Sequence, residues 1–161
     1  MDYIIRKLKL SEKAILEDFL YEAIFQPEGT NSLSRDIIYT PEIYVFIDNY
    51  GLKDDYCLVT ELKGKIVGAV WSRILAGEIK GYGNIDEYTP ELAISLMKEY
   101  RGLGLGTEMM KQMIQLLREE GYAQASLSVD KNNYAVKMYK NVGFEVLQER
   151  EHDYLMCLQL N

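Results

Sequence analysis

Arg101-Gly102-Leu103-Gly104-Leu105-Gly106 decides how this chain reads. The stretch follows an apolar run, residues 91–98, and opens the strongest amphipathic helix in the sequence, residues 105–120. Three glycines in five residues leave no Cβ between a ligand and the backbone. A helix N-terminus presents unpaired N–H groups and the positive end of the helix dipole. Together these features make a seat for a phosphate or pyrophosphate.

Working outward, the elements on either side are a strand over 91–98, introduced by Pro90, and a strand over 123–130. Leu105, Met109, Met113, Leu116 and Leu117 form the inner face of the helix between them, and Gly121 fits its C′ position. A strand–helix–strand unit of this kind joins parallel strands by a right-handed crossover. Downstream lie a short helix over 133–141, stopped by Gly143, and a hairpin of strands 144–147 and 154–160. Upstream, residues 3–10 read as a strand. Ser11 reads as the N-cap of a helix over 12–25, and Pro41 starts a short helix to Ile47. Strands over 56–62 and 65–75 meet at Lys63-Gly64, a hairpin signal. Residues 76–89 read as a loop or irregular hairpin. The order β-α-α-β-β-β-α-β-α-β-β predicts a mixed α/β sheet with helices on both faces, in a single domain over residues 1–161.

Two familiar phosphate loops do not match. A P-loop requires Gly-Lys followed by Ser or Thr, and here Gly106 precedes Thr107 and Glu108. A dinucleotide fingerprint requires its third glycine where Thr107 or Met109 stands. The pattern that fits is Arg101-x-x-Gly104-x-Gly106. It resembles the acetyl-CoA pyrophosphate loop of the GNAT superfamily of N-acetyltransferases. Asn132-x-x-Ala135-x-x-x-Tyr139-x-x-x-Gly143-Phe144 resembles the second motif of that family, at the right distance and in the right strand–helix–strand context.

The resemblance implies an acyl-CoA N-acyltransferase fold: a single mixed, mostly antiparallel sheet whose central parallel pair splays apart to admit a pantetheine arm. It implies acetyl-CoA as co-substrate. Backbone groups near Leu96, Met97 and Lys98 would pair with the pantetheine amides. The pyrophosphate would rest on Gly102, Leu103, Gly104, Leu105, Gly106 and Thr107, with Arg101 adding charge or serving the loop. Tyr139 is the implied acid for the departing thiolate. Asn132 would cap the short helix and contact the pantetheine. Reference acidities of about 10 for a phenol and about 8.5 for a thiol make full proton transfer slightly uphill, so Tyr139 would act mainly by hydrogen bonding.

An amine acceptor with a pKa of about 10 must lose a proton before it attacks. Strand alternation puts Glu91, Ala93 and Ser95 on one face, so Glu91 is the first candidate base, with Asp86 and Glu87 as alternatives. Trp71 and Arg73 share a strand face and read as a core tryptophan with an arginine snorkelling to solvent, an acceptor-pocket role being the alternative. His152, the one histidine, reads as an exposed strand residue, and no ligand set suggests a metal.

The 161 residues carry a net charge of −7, which argues against general nucleic-acid binding. Residues 98–140 hold seven Lys/Arg and five Asp/Glu, a balance of +2, so the remainder carries −9. An anion at the glycine loop and a cationic amine elsewhere suit that partition. The expected acceptor is a small cationic molecule, a protein N-terminus or a lysine. No apolar run approaches the roughly 20 residues of a membrane helix. Cys57 and Cys157 both sit in strand-like runs and read as buried free thiols of a cytoplasmic protein. The family resemblance also implies a homodimer as one assembly. Two other functions fit the same residues: an acyl-CoA sensor without chemistry, and a transferase using another acyl donor.

Overall fold

The computed structural model describes residues 2–30 and 32–161. Seven strands form one sheet in the order β1-β2-β3-β4-β5-β7-β6. They are β1 (Tyr3–Lys7), β2 (Tyr56–Leu62), β3 (Lys65–Arg73), β4 (Glu91–Leu96), β5 (Gln124–Asp130), β6 (Glu145–Glu149) and β7 (Asp153–Gln159). Every neighbouring pair is antiparallel except β4 and β5. The helices are α1 (Leu16–Ala23), α2 (Pro41–Tyr44), α3 (Leu105–Glu119) and α4 (Ala135–Asn141). The expected mixed sheet with one central parallel pair is the sheet observed.

Strand alternation divides the core into two layers. Leu58, Val70, Leu92, Leu127 and Met156 face α3 and α4. Cys57, Val59, Ala69 and Trp71 face α1 and the segment around α2. The buried residues of α3 are Leu105, Met109, Met110, Met113, Ile114 and Leu117. Leu116, expected inside, is only partly buried. The Lys63-Gly64 hairpin turn has φ of 50° and 79° at its two residues, the left-handed pair that matches strand twist.

Several boundaries differ from expectation. The helix expected over 12–25 begins as a 3-10 turn, Leu10–Ile15. Ser11 does not cap it. Glu12 instead accepts the Lys9 N–H at 2.8 Å and both Arg6 guanidinium nitrogens at 2.8 and 2.9 Å. This fixes the turn before the α-helical periodicity takes over. β4 stops at Leu96 rather than Lys98, because Lys98–Tyr100 tightens into a 3-10 turn.

One buried ion pair organises the segment after α2. Arg73 donates to both oxygens of Asp55, at 3.0 and 3.2 Å, and to the carbonyls of Val45 and Asp48 at 2.9 and 2.7 Å. Asp55 also accepts the N–H groups of Gly51 and Leu52. Trp71 Nε1 donates to the Phe46 carbonyl at 3.0 Å. Trp71 is therefore core, as expected, and Arg73 is a buried strut for residues 45–55 rather than a side chain reaching for solvent.

Breaking a buried pair leaves an uncompensated charge, at a cost of about 3–5 kcal/mol. Asp55→Ala is expected to lower stability by about that amount in urea denaturation. A loss below about 1 kcal/mol would mean that Arg73 is adequately solvated without Asp55.

Candidate active site

The parallel pair opens almost as soon as it forms. β4 and β5 share one register, Glu91 with Ser126, and the Ser126 N–H donates to the Pro90 carbonyl at 3.0 Å. Beyond it β4 keeps pairing with β3 as far as Gly68 with Leu96. β5 keeps pairing with β7 as far as Asp130 with Asp153. The Met97 N–H bonds to the Val67 carbonyl on the β3 side. Backbone alternation therefore turns the polar groups of Ile94 and Leu96 toward the gap. A cleft of about 1030 Å³ occupies it.

The glycine loop closes one end. Gly102 and Gly104 have φ of 75° and 85°, where a Cβ is strained. Gly104 is the N-cap of α3, and the first main-chain bond runs from Glu108 N–H to its carbonyl. The N–H groups of Leu105, Gly106 and Thr107 precede that bond and have no intrahelical acceptor. Gly102, Gly104, Gly106 and Thr107 line the cleft. This donor set, free of Cβ atoms at its turn, fits a pyrophosphate in charge and access.

The residues singled out in the sequence separate into groups. Leu96, Arg101, Asn132, Tyr139 and Glu91 line the same cleft as the loop. Met97 and Lys98 do not: Met97 N–H is taken by β3, and Lys98 is exposed in the 3-10 turn. The Leu105 side chain is buried in the core and Leu103 is exposed, so these two offer only backbone. Arg101 serves the loop. Its guanidinium donates to the Leu96 carbonyl at 3.0 Å and to Glu22 Oε2 at 2.9 Å, tying the loop to β4 and α1. Asn132 does not cap α4. Asn133 Oδ1 accepts the Ala135 N–H at 2.9 Å, while Asn132 gives its own N–H to Asp130. His152 is exposed in the bend before β7, beside Glu151 at 3.5 Å.

Tyr139 projects from α4 into the layer beneath α3, its ring edge-on to Phe144 at 6.1 Å. Burial pushes its phenol further from ionisation, with the nearby Tyr134 adding to the effect. Glu91 enters from the other face of the sheet and is 3% exposed. Its Oε2 accepts the Gly83 N–H at 2.8 Å, and its Oε1 is buried without a partner. Burial is the main cause that raises it from an ordinary 4.5 to about 7, against the opposing Gly83 bond and the Arg150 charge. Of the alternative bases, Asp86 accepts the Tyr88 N–H, and hydrogen bonds from Thr89 and Tyr88 lower its pKa.

Gly81 makes room for Glu91, since a Cβ there would stand 2.0 Å from Glu91 Oε1. Gly83 lets the loop lie against β5, where a Cβ would stand 2.7 Å from the Leu127 backbone. Gly83 also accepts the Ser126 hydroxyl at 2.6 Å. Phe46 and Tyr82 add an aromatic wall the sequence did not disclose, their rings stacked at 6.3 Å and 23°. Glu22, Glu28, Asp130 and Asp153 also line the cleft. Among the described residues no group of three or more His, Cys, Asp or Glu is placed to hold a metal, and no helix is long and apolar enough to cross a membrane.

A family model, "Acetyltransferase (GNAT) family", matches residues 20–144. An N-alpha-acetyltransferase of Sulfurisphaera tokodaii is 25% identical over 118 residues, 69% of this chain and 69% of its own. A thialysine N-epsilon-acetyltransferase of Mus musculus is 39% identical over 59 residues, 36% of this chain and 35% of its own. The solved structure of yncA, a putative acetyltransferase from Salmonella typhimurium with its cofactor acetyl-CoA, superimposes with a TM-score of 0.73 at 19% identity. That match covers 100% of this chain and 95% of the other, and it is a likeness of fold.

The Glu91 environment predicts a pH-dependent stability. Its folded value lies above its unfolded one, so the folded protein holds a proton that the unfolded chain releases. The associated stability is intact below about pH 4.5 and is lost as pH rises through about 7. Glu91→Gln cannot ionise and escapes this loss. Urea unfolding is expected to show the variant gaining on the wild type between pH 4.5 and pH 8, by on the order of 2–3 kcal/mol. A constant difference across that range would contradict the burial argument.

Proposed function

The chain belongs to the acetyltransferase (GNAT) family, and on that premise we propose that it transfers an acetyl group from acetyl-CoA to a primary amine by direct attack on the thioester. One observation carries the reading. β4 leaves β5 after a single register, and the gap so made runs to the glycine-loop donors, with Tyr139 and Glu91 entering from the two faces of the sheet. Acetyl-CoA supplies the acetyl group as a thioester. The loop N–H groups hold its pyrophosphate, and the gap-facing backbone groups of Ile94, with the Leu96 N–H, pair with the pantetheine amides as an added strand would.

Attack by the amine forms a C–N bond and breaks the C–S bond, and the sulfur departs with the electron pair. Tyr139 donates a hydrogen bond to that sulfur. Its raised pKa favours keeping the proton, so its contribution is stabilisation of developing charge. Glu91 accepts the proton the amine sheds. A carboxyl poised near 7 suits a base working at neutral pH, since a useful fraction is ionised while its proton affinity stays high.

The acceptor enters on the side of Phe46, Tyr82 and Glu91. Aromatic faces and carboxylates favour a cation. The N-alpha-acetyltransferase relative supports a peptide α-amine, and the thialysine N-epsilon-acetyltransferase relative supports a side-chain-like amine.

Release of free thiol, measured with acetyl-CoA and a panel of amines and peptides, tests the activity. Binding of acetyl-CoA without thiol release for every acceptor would favour a sensor. Tyr139→Phe is expected to lower kcat at least about tenfold, roughly 1.4 kcal/mol of barrier, with acetyl-CoA affinity retained. Unchanged turnover would remove Tyr139 from the mechanism. The wild-type rate should rise with pH through about 7, and Glu91→Gln should lose that limb. A limb preserved in the variant would assign the base elsewhere.

A further inference from the structure

Arg150 lies just past β6, outside both sequence motifs. Its Nε donates to Asp153 Oδ1 at 2.9 Å, and a terminal nitrogen donates to Asp153 Oδ2 at 2.7 Å. The same terminal nitrogen donates to the Tyr82 carbonyl at 2.7 Å. Asp153 is held in turn by the Ser128 hydroxyl at 2.6 Å, on the β5 wall of the cleft. The hairpin β6–β7 is thereby clamped to the loop over residues 76–89.

The Tyr82 carbonyl and the Gly83 N–H belong to one peptide unit. Among the described residues no peptide bond is cis, so the two groups point in opposite directions from one plane. Arg150 holds the carbonyl side, and Glu91 Oε2 holds the N–H side at 2.8 Å. Pulling electron density toward the guanidinium strengthens the N–H as a donor. We propose that Arg150 is a positioning residue for Glu91, acting through the Tyr82–Gly83 peptide, which it locks over the carboxylate while fixing the Tyr82 ring in the acceptor wall. This rests on the reading of Glu91 as the base.

The surrounding charges leave Arg150 this role. Arg73 stands opposite Glu91 on β3, but Asp55 occupies its guanidinium. β5 presents the neutral Ser126 and Ser128, and Asp130 at its far end accepts the Asn132 N–H. On the hairpin, Glu149 pairs with Lys131, and Glu151 lies in solvent beside His152. On the loop, Asp86 bonds to its own neighbours.

Arg150→Met removes the charge and both donors at similar length, and Arg150→Lys restores the charge with a single ammonium. Two readouts are needed. Carboxyl titration of Glu91 by 13C NMR in the full chain reads the coupling without catalysis. It is expected to move up by about half a unit or more in Arg150→Met and to return partly in Arg150→Lys. The alkaline-rising limb of the rate should move with it, and KM for the amine should rise about threefold or more while KM for acetyl-CoA holds. Thermal unfolding establishes that each variant is folded. An unmoved Glu91 titration in folded Arg150→Met overturns the proposal. So does a rate-limb shift that persists in the Glu91→Gln background. A Glu91 titration that moves while the rate limb stays put supports the coupling and defeats the base reading instead.

Discussion

β4 pairs with β3 throughout its length but with β5 at one register only, Glu91 with Ser126. The cleft, the orientation of the glycine loop and the placement of Tyr139 all depend on that early parting. Each wall has its own supports. β4 is fastened by β3, by the Ser95 hydroxyl donating to the Phe19 carbonyl, and by Arg101 bonded to the Leu96 carbonyl. β5 is fastened by β7, with Ser128 bonded to Asp153. An open parallel pair exposes backbone groups that would otherwise be satisfied by a neighbouring strand. The arrangement persists because neither wall relies on the other for register, and the exposed edge is what a ligand amide can complete.

Helix α3 links the two walls. Its buried methionines and leucines pack beneath the sheet, and its first turn carries unpaired N–H groups at the cleft. Leu96 shows how tightly the parts are joined. Its side chain lies against Gly68, where a Cβ would meet it at 2.5 Å, and near Gly106, where one would meet it at 3.7 Å. The strand end, the neighbouring strand and the loop therefore share one contact point, so the loop height above the gap is set by core packing rather than by the loop itself.

What could be read in advance was what local chemistry decides. The glycines at 102, 104 and 106 announced a turn into a helix N-terminus, and β4 alternation put Glu91 and Ser95 on the face opposite Leu92. What could not be read depends on partners far along the chain. Arg101 looked available to a phosphate until Glu22, 79 residues away, engaged it. Ser11 had the chemistry of a cap, but Glu12 was drawn to Arg6 and the Lys9 N–H. Asn132 and Asn133 carry the same side chain, and only the start of α4 shows that the second makes the local bond. The Phe46–Tyr82 wall joins two loops with no periodicity to pair them.

Glu91 brings these threads together. A carboxylate this deeply buried with one oxygen unpartnered costs free energy that ordinary folding does not require. The fold nonetheless goes to some length to keep it: Gly81 clears the space, Gly83 lets its peptide lie between Glu91 and β5, Ser126 holds Gly83, and Arg150 bears on the same peptide. A merely structural acid would be better served by a second donor on Oε1, which would restore its ordinary acidity and cut the desolvation penalty. Leaving that oxygen free while fixing the other keeps the group oriented and its pKa raised to about 7, the compromise that the base role proposed for it requires.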